Sequence, residues 1–418
     1  MKIVWIVNTI FPYPSEALNL PKQVFGGWLN SLFEELVKTE NIQMIIITVS
    51  DKIKYTKIEN KNVSYYILPT KNKLKLDNNL NKFYQDIIGS FNPDIIHIHG
   101  TEYPMALPLL NNIKIKPVVS IQGMLSVYSN YYLIGLKCKE IIRNISLRDV
   151  IKFDNIFIQK KKSIKRGKYE KEIITKANNI IGRTSWDYSN TYAISNNIKY
   201  YFCNESLRNS FYKKTWNHEE IEKHSIFISQ ASYPIKGFHL FLEALTILKK
   251  DYPDVKVYVA GNNILLSETL KQKLKISGYS KIIKQKINYY NLKKNIIFTG
   301  LLSEDQVVER LLKSNVFVQA SLIENSPNSL GEAMLLGMPC VASNVGGTSD
   351  MLIDKKEGLL YPFTEPAMLA MYISKVFDND KYALELGKEA RKHALITHDR
   401  EKNAKQMLNI YDQIIKGE

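Results

Sequence analysis

The chain is poor in cysteine, and the cysteine it has is scattered: Cys138, Cys203 and Cys340 lie far apart, with no C-x-x-C among them. That spacing excludes a disulfide framework and a thiolate metal site, and it fits a reducing cytoplasm. Long apolar runs are missing as well. No stretch approaches the roughly 18 residues needed to span a bilayer, so a soluble chain is expected. The opening run IVWIV stops at Asn8, too short for a secretory h-region, and reads as a first buried strand. No G-x-G-x-x-G occurs, so there is no dinucleotide fingerprint. His218-Glu219-Glu220-Ile221-Glu222 nearly spells H-E-x-x-H, but Glu222 stands where the second histidine would be, and no metal is expected there. Neither an internal repeat nor a low-complexity segment is visible.

What is present is ordinary for a globular protein: 418 residues, 45% hydrophobic and 23% charged, enough for two or three domains with their own cores. The net charge is +16. From Lys137 to Lys176 there are 13 basic and 5 acidic residues, so half of the surplus sits in one segment. Ile141, Ile142, Ile145, Leu147 and Val150 recur there at helical intervals between the cations. Residues 137–176 therefore read either as a core-facing helix with a solvated basic face or as a basic amphipathic surface in peripheral contact with an anionic membrane, at its inner face. No aromatic-basic module supports nucleic-acid binding.

Short apolar runs alternate with helical patterns throughout. Strands are predicted at Ile3 to Val7, Met44 to Val49, Ser64 to Leu68, Asp94 to His99, Val118 to Ile121, Asn179 to Gly182 and Lys199 to Phe202. The second half repeats the scheme at Ser225 to Ser229, Val255 to Ala260, Asn295 to Thr299, Val316 to Ala320, Pro339 to Ser343 and Gly358 to Tyr361. Strand-then-helix repetition implies an α/β fold of two doubly wound, Rossmann-like domains facing each other across a cleft, with ligands at the carboxyl ends of the strands. The first domain is expected over 1–210, the second over 224–397, with a linker in the polar segment Asn209 to Lys223. A helix is predicted from His398 to Ile415.

The densest chemistry runs from Asn315 to Asp350: a strand, the turn Glu324-Asn325-Ser326-Pro327-Asn328-Ser329, a helix, a second strand and Gly346-Gly347. A helix start left open at the end of a parallel strand offers unpaired amides and a positive dipole end to an anion. Glu324 and Glu332 bracket that start eight positions apart. Phosphate on the amides and sugar hydroxyls on the carboxylates would suit a nucleotide-sugar.

Embedded in this context, Glu324 and Glu332 resemble the E-x7-E motif of retaining glycosyltransferases of the GT-B fold, glycosyltransferase family four. The run GMPCVASNVGG is similar to that family's G-x-P-V-V-A-x-x-x-G-G. The resemblance is strong over the second domain and loose over the first. It implies transfer of a sugar from a UDP-, GDP- or ADP-linked donor to a saccharide or lipid-linked acceptor hydroxyl, with retention and without a metal or other cofactor. A role in surface polysaccharide or glycoconjugate synthesis goes with it. The terminal helix would cross back onto the first domain. Glu332, Asn328 and the amides of Ser329 and Leu330 would hold the donor, and Glu324 would orient its sugar. Lys236, in a stretch resembling the family's G-R-x-x-x-x-K-G, would steady the diphosphate as it leaves. The family's arginine is absent, Gln230 or Ala231 standing in its place; Arg183 is a candidate substitute.

In the first domain Gly26 and Gly27 follow the first strand and precede a helix; they read either as a plain turn or as a glycine loop beside the donor or acceptor. His97 and His99 share one face of a strand, with His99 at its carboxyl end. His99, Gln122 (where many family members have histidine) and Arg183 are expected to line the acceptor or the sugar. Arg183-Thr184-Ser185-Trp186-Asp187 reads equally as an acceptor site or as a helix cap. Two other functions are compatible with these residues. A nucleotide-sugar epimerase of the same fold would form product without acceptor; a non-enzymatic basic binding protein would leave the Glu324 loop without purpose.

Overall fold

The computed structural model describes residues 1–21, 26–113, 115, 117–265, 269 and 274–417. It divides into two compact units. The first comprises Met1–Val127, Ser163–Ser206 and His398–Glu418; the second comprises Tyr128–Lys162 and Leu207–Thr397.

The sheet of the first unit is built from β1 (Lys2–Val7), β2 (Gln43–Ser50), β3 (Thr56–Asn60), β4 (Val63–Pro69), β5 (Ile95–His99), β6 (Val118–Ser120), β7 (Asn179–Gly182) and β8 (Lys199–Phe202). Their order is β3-β4-β2-β1-β5-β6-β7-β8. All neighbours are parallel except β3 and β4, which pair as an antiparallel hairpin. The sheet is buried on both faces, which is why β1 is apolar without alternation. Val4 and Ile6 enter one core, while Ile3, Trp5 and Val7 enter the other. The helix Arg400–Lys416 closes the second of these cores with Ala404, Met407, Ile410, Tyr411 and Ile414. Its Tyr411 hydroxyl accepts from Trp5 Nε1 at 3.0 Å and meets His97 Nδ1 at 2.6 Å. The helix predicted to return to the first domain therefore belongs to the first unit.

The second unit holds β9 (Glu222–Ile228), β10 (Lys256–Ala260), β11 (Ile296–Gly300), β12 (Ser314–Gln319), β13 (Cys340–Ser343) and β14 (Leu359–Tyr361), in the order β11-β10-β9-β12-β13-β14 and parallel throughout. Every strand predicted in either half is present. The hairpin strand β3, whose exposed positions break the apolar pattern, was not predicted.

The unit boundaries differ from the expected 1–210 and 224–397 in two places. Residues 128–162 group with the second unit because their helices dock on its helix Gly278–Tyr289. Asp149 accepts from the Gly278 amide at 2.7 Å, and a side chain at Gly278 would run within 2.6 Å of Asp149 Oδ2. The expected linker is also folded into the second unit. Trp216 is buried there, donating from Nε1 to the Ser314 carbonyl at 2.8 Å.

Candidate functional site

In the second unit the strand order reverses between β9 and β12: the chain builds outward from β9 to β11 and then returns to β9's other side. A crevice forms outside the carboxyl ends of two such strands. Both loops that leave this point carry predicted site residues. After β9 the chain makes a short turn, Pro234–Lys236, and reaches Gly237 at φ 66°. A Cβ there would lie 1.8 Å from the Ala320 carbonyl oxygen, so only glycine lets the loops approach this closely. The approach brings Lys236 Nζ to 2.5 Å from Glu324 Oε1. Burial works against the Lys236 charge, but the charge and hydrogen bond of Glu324 outweigh it and raise the pKa. Ser321 Oγ donates to the same carboxylate oxygen at 2.7 Å. Behind it, Gly346 packs against the Glu324 carbonyl, and the Gly347 amide donates to that oxygen at 3.2 Å.

The helix Asn328–Leu336 starts in this loop with Pro327 as its cap and no side-chain cap bond. Ser229 Oγ, at the end of β9, donates to Ser329 Oγ at 3.2 Å. Asn328 and Ser329 are half-buried, and Asn328 Oδ1 is buried without a partner. Helix geometry leaves the amides of Asn328 and Ser329 without acceptors inside the helix. The Leu330 amide is different. It donates to the Pro327 carbonyl at 2.9 Å, and the residue is fully buried, so Leu330 does not offer the anion donor expected of it.

Glu332, one turn on, is buried and clamped by a residue that sequence reasoning passed over. Arg208 Nε and Nη2 donate to its two oxygens at 2.6 and 2.7 Å, a bidentate fork. Burial opposes the Arg208 charge, but Glu332 outweighs it and raises the pKa. Each acid of the pair thus faces its own cation. Nothing in the sequence signals that Arg208 meets a glutamate 124 positions later. In place of the family's arginine, Gln230 donates to the Tyr233 hydroxyl at 2.8 Å and Ala231 is buried.

In the first unit the reversal falls between β1 and β5. Gly26, at φ 84°, caps the helix Gly27–Leu36. The four residues before it lie outside the described residues. His97 is spoken for, with Nε2 at 2.6 Å from Ser120 Oγ and Nδ1 on Tyr411. Burial lowers its pKa to about 3, and it takes that of His99 well below the usual range, with His97 adding to the effect. Among the described residues no group of three potential metal ligands forms around them. His99 lines a small cavity with Arg183, and Gln122 reaches Glu205 at its edge, Nε2 to Oε1 at 2.9 Å. Arg183 pairs with Glu205 too, a residue also missed in the sequence. Thr184 caps the helix Ser185–Ile194 through a capping box with Asp187, so the helix-cap reading of this stretch is met.

Residues 137–176 are not one amphipathic surface. They form the helices Cys138–Arg143 and Leu147–Ile151 and most of Ile156–Ala177. Only the first part exposes large apolar side chains in a cluster: Ile142, Leu147, Val150, Ile151 and Phe153 are each more than half exposed. Among the described residues no helix is long and apolar enough to cross a membrane.

Comparison with known proteins bears on the fold. A poly(ribitol-phosphate) alpha-N-acetylglucosaminyltransferase of Staphylococcus aureus (strain COL) is 27% identical over 258 residues, which is 59% of this chain and 46% of the relative. The chain spans about half the length of the curated relatives it matches. The sucrose-phosphate synthase of Thermosynechococcus elongatus superposes with a TM-score of 0.75 at 17% identity, over 100% of both chains. Anabaena HepE in complex with UDP and glucose gives 0.64 at 14%, over 99% of both. These likenesses establish the fold, two Rossmann-like α/β domains of the GT-B type. Residues 209–393, which hold Lys236, Glu324 and Glu332, match the family model for glycosyl transferases group 1.

Proposed function

We propose that the protein is a retaining, metal-independent glycosyltransferase that moves a sugar from a nucleotide-sugar to an acceptor hydroxyl, in surface polysaccharide or glycoconjugate synthesis. The observation that carries this reading is the Lys236–Glu324 pair beside the open helix start at Ser329, at the switch point between β9 and β12. A diphosphate there would take the Ser329 and Asn328 amides and the Lys236 ammonium, a point charge that follows negative charge as it develops on the leaving oxygen. Glu324, released from part of its contact with Lys236, would orient the donor sugar's hydroxyls and steady positive charge on its ring. Glu332 would accept from the ribose hydroxyls. A carboxylate has about four lone-pair directions, and the Arg208 fork uses two of them while fixing the rest. The leaving phosphate oxygen would take the acceptor's proton, so no separate base is needed. His99, Gln122 and Arg183 would serve the acceptor side or line the sugar, and the Gly26-Gly27 turn would help to bind the donor. The UDP and glucose in the Anabaena relative's complex make UDP-linked sugars the first to test.

The exposed cluster Ile142 to Phe153, with Lys137, Lys139, Arg143 and Lys152 around it, supports a peripheral membrane contact that would bring a lipid-linked acceptor within reach.

Thermal-shift titration with UDP-, GDP- and ADP-sugars tests the donor site, since a ligand of the folded state alone raises Tm. Incubation of the stabilising donor with and without candidate acceptors then separates the reactions. Product formed without acceptor indicates epimerisation, and no shift with any donor refutes the reading.

A further inference from the structure

We infer that the first unit holds a subsite for one uncharged, hydroxyl-bearing arm of the acceptor, built on His99, Arg183, Glu205 and Ser206; the identity of the guest as acceptor rests on the transferase reading above. The cavity they line has a volume of about 20 Å³ and sits at the carboxyl ends of β5 to β8. Five polar atoms of these residues are buried without a hydrogen-bond partner: His99 Nδ1 and Nε2, Arg183 Nε, Glu205 Oε2 and Ser206 Oγ. All four residues are more than nine-tenths buried. Buried polar atoms are satisfied in the great majority of cases, so five around one cavity call for a polar guest.

The lining also says what kind of guest. Arg183 and Glu205 pair with each other, so their charges cancel, and the buried imidazole of His99 is neutral. Nothing remains to offset a phosphate or a carboxylate. Donors (Arg183 Nε, one His99 nitrogen) and acceptors (Glu205 Oε2, the other His99 nitrogen) stand together, and Ser206 can act as either. A hydroxyl, which both donates and accepts, meets such a set; an anion accepts only. Trp28, Leu32 and Met407 supply an apolar side to the same cavity, suited to the C–H bonds of a hydroxymethyl group. The volume is that of one or two waters, enough for such an arm and too small for a sugar ring. A neutral saccharide or polyol is the class indicated.

The test uses the full chain, titrated calorimetrically without donor against D-glucose, D-galactose and ribitol, with glucuronate and glucose 6-phosphate as anionic probes. Two variants are clean because the atoms they remove bond to nothing in the protein. Ser206→Ala and His99→Phe are expected to fold with undiminished Tm and to weaken a neutral probe about fivefold or more, the loss of one hydrogen bond or two. Absence of binding by every neutral probe, tighter binding of the anions, or binding untouched by both variants overturns the inference, the last being the result if water alone fills the cavity. Nucleotide-sugar binding is measured separately on the same samples. A chain that binds neutral saccharide in this way but no nucleotide-sugar refutes the transferase reading and leaves the subsite standing.

Discussion

Arg208→Ala removes half of a buried ion pair and leaves the other half in place. Arg208 is 17% and Glu332 8% exposed in their side chains, and the two hydrogen bonds of the fork are lost together. Breaking a buried pair from one side costs about 3–5 kcal/mol; the partial exposure of Arg208 puts this one near the lower end, about 3 kcal/mol. For a unit of this size that corresponds to a Tm lower by roughly 6–12 °C. The penalty also depends on pH. Burial raises the Glu332 carboxyl already, against the opposing pull of Arg208, and without Arg208 it rises further. The folded variant then keeps a proton that the unfolded chain has lost. Its deficit is smallest at about pH 4 and grows as pH rises above the ordinary glutamate range, reaching its full size above the folded-state pKa. Urea unfolding followed by circular dichroism at pH 4.5 and 7.5 reads both effects. The pair Arg208→Met with Glu332→Leu, which leaves no buried charge, should recover most of the stability while losing donor binding. A single variant within about 0.5 kcal/mol of the parent, or a double variant as unstable as the sum of the two singles, would show that the pair is not the coupled, buried unit described here.

Lys236→Met is expected to lower turnover by about 10²–10³ with a smaller effect on donor affinity, since its charge matters most as the diphosphate leaves; steady-state kinetics with the stabilising donor decide this. Glu102, at the end of the loop after β5, has its carboxyl pushed up to about 7 by burial, with Glu170 adding to it and Arg166 opposing. Its folded pKa exceeds the unfolded one, so stability falls as pH rises from about 4.5 to 7, and Glu102→Gln should flatten the urea midpoint over that window; an unchanged slope would contradict it. Ile151→Asp with Phe153→Ser should abolish cosedimentation with phosphatidylglycerol vesicles and leave donor thermal shifts intact, whereas equal binding by both proteins removes the case for membrane contact.

Much of this was legible before any coordinates. The apolar runs reported the parallel strands well, because a strand buried on both faces must be apolar along its whole length. Strand β3 escaped for the converse reason: an edge strand open to solvent carries no such run. The turn from Glu324 and the helix start at Asn328 and Ser329 could be read because turn, cap and helix chemistry are local. Leu330 was misassigned at the level of single hydrogen bonds, where a carbonyl three residues back took the amide.

Sequence alone determined the parallel strands of both sheets and that a helix opens between Glu324 and Glu332. These follow from periodicity and capping, which act over a few residues. Tertiary structure decided which charges meet. Arg208 on Glu332, Glu205 on Arg183 and the transfer of residues 128–162 to the second unit join positions far apart in the chain. Such pairings depend on the path of the chain through two sheets, and a cation's eventual partner leaves no mark on the residues beside it.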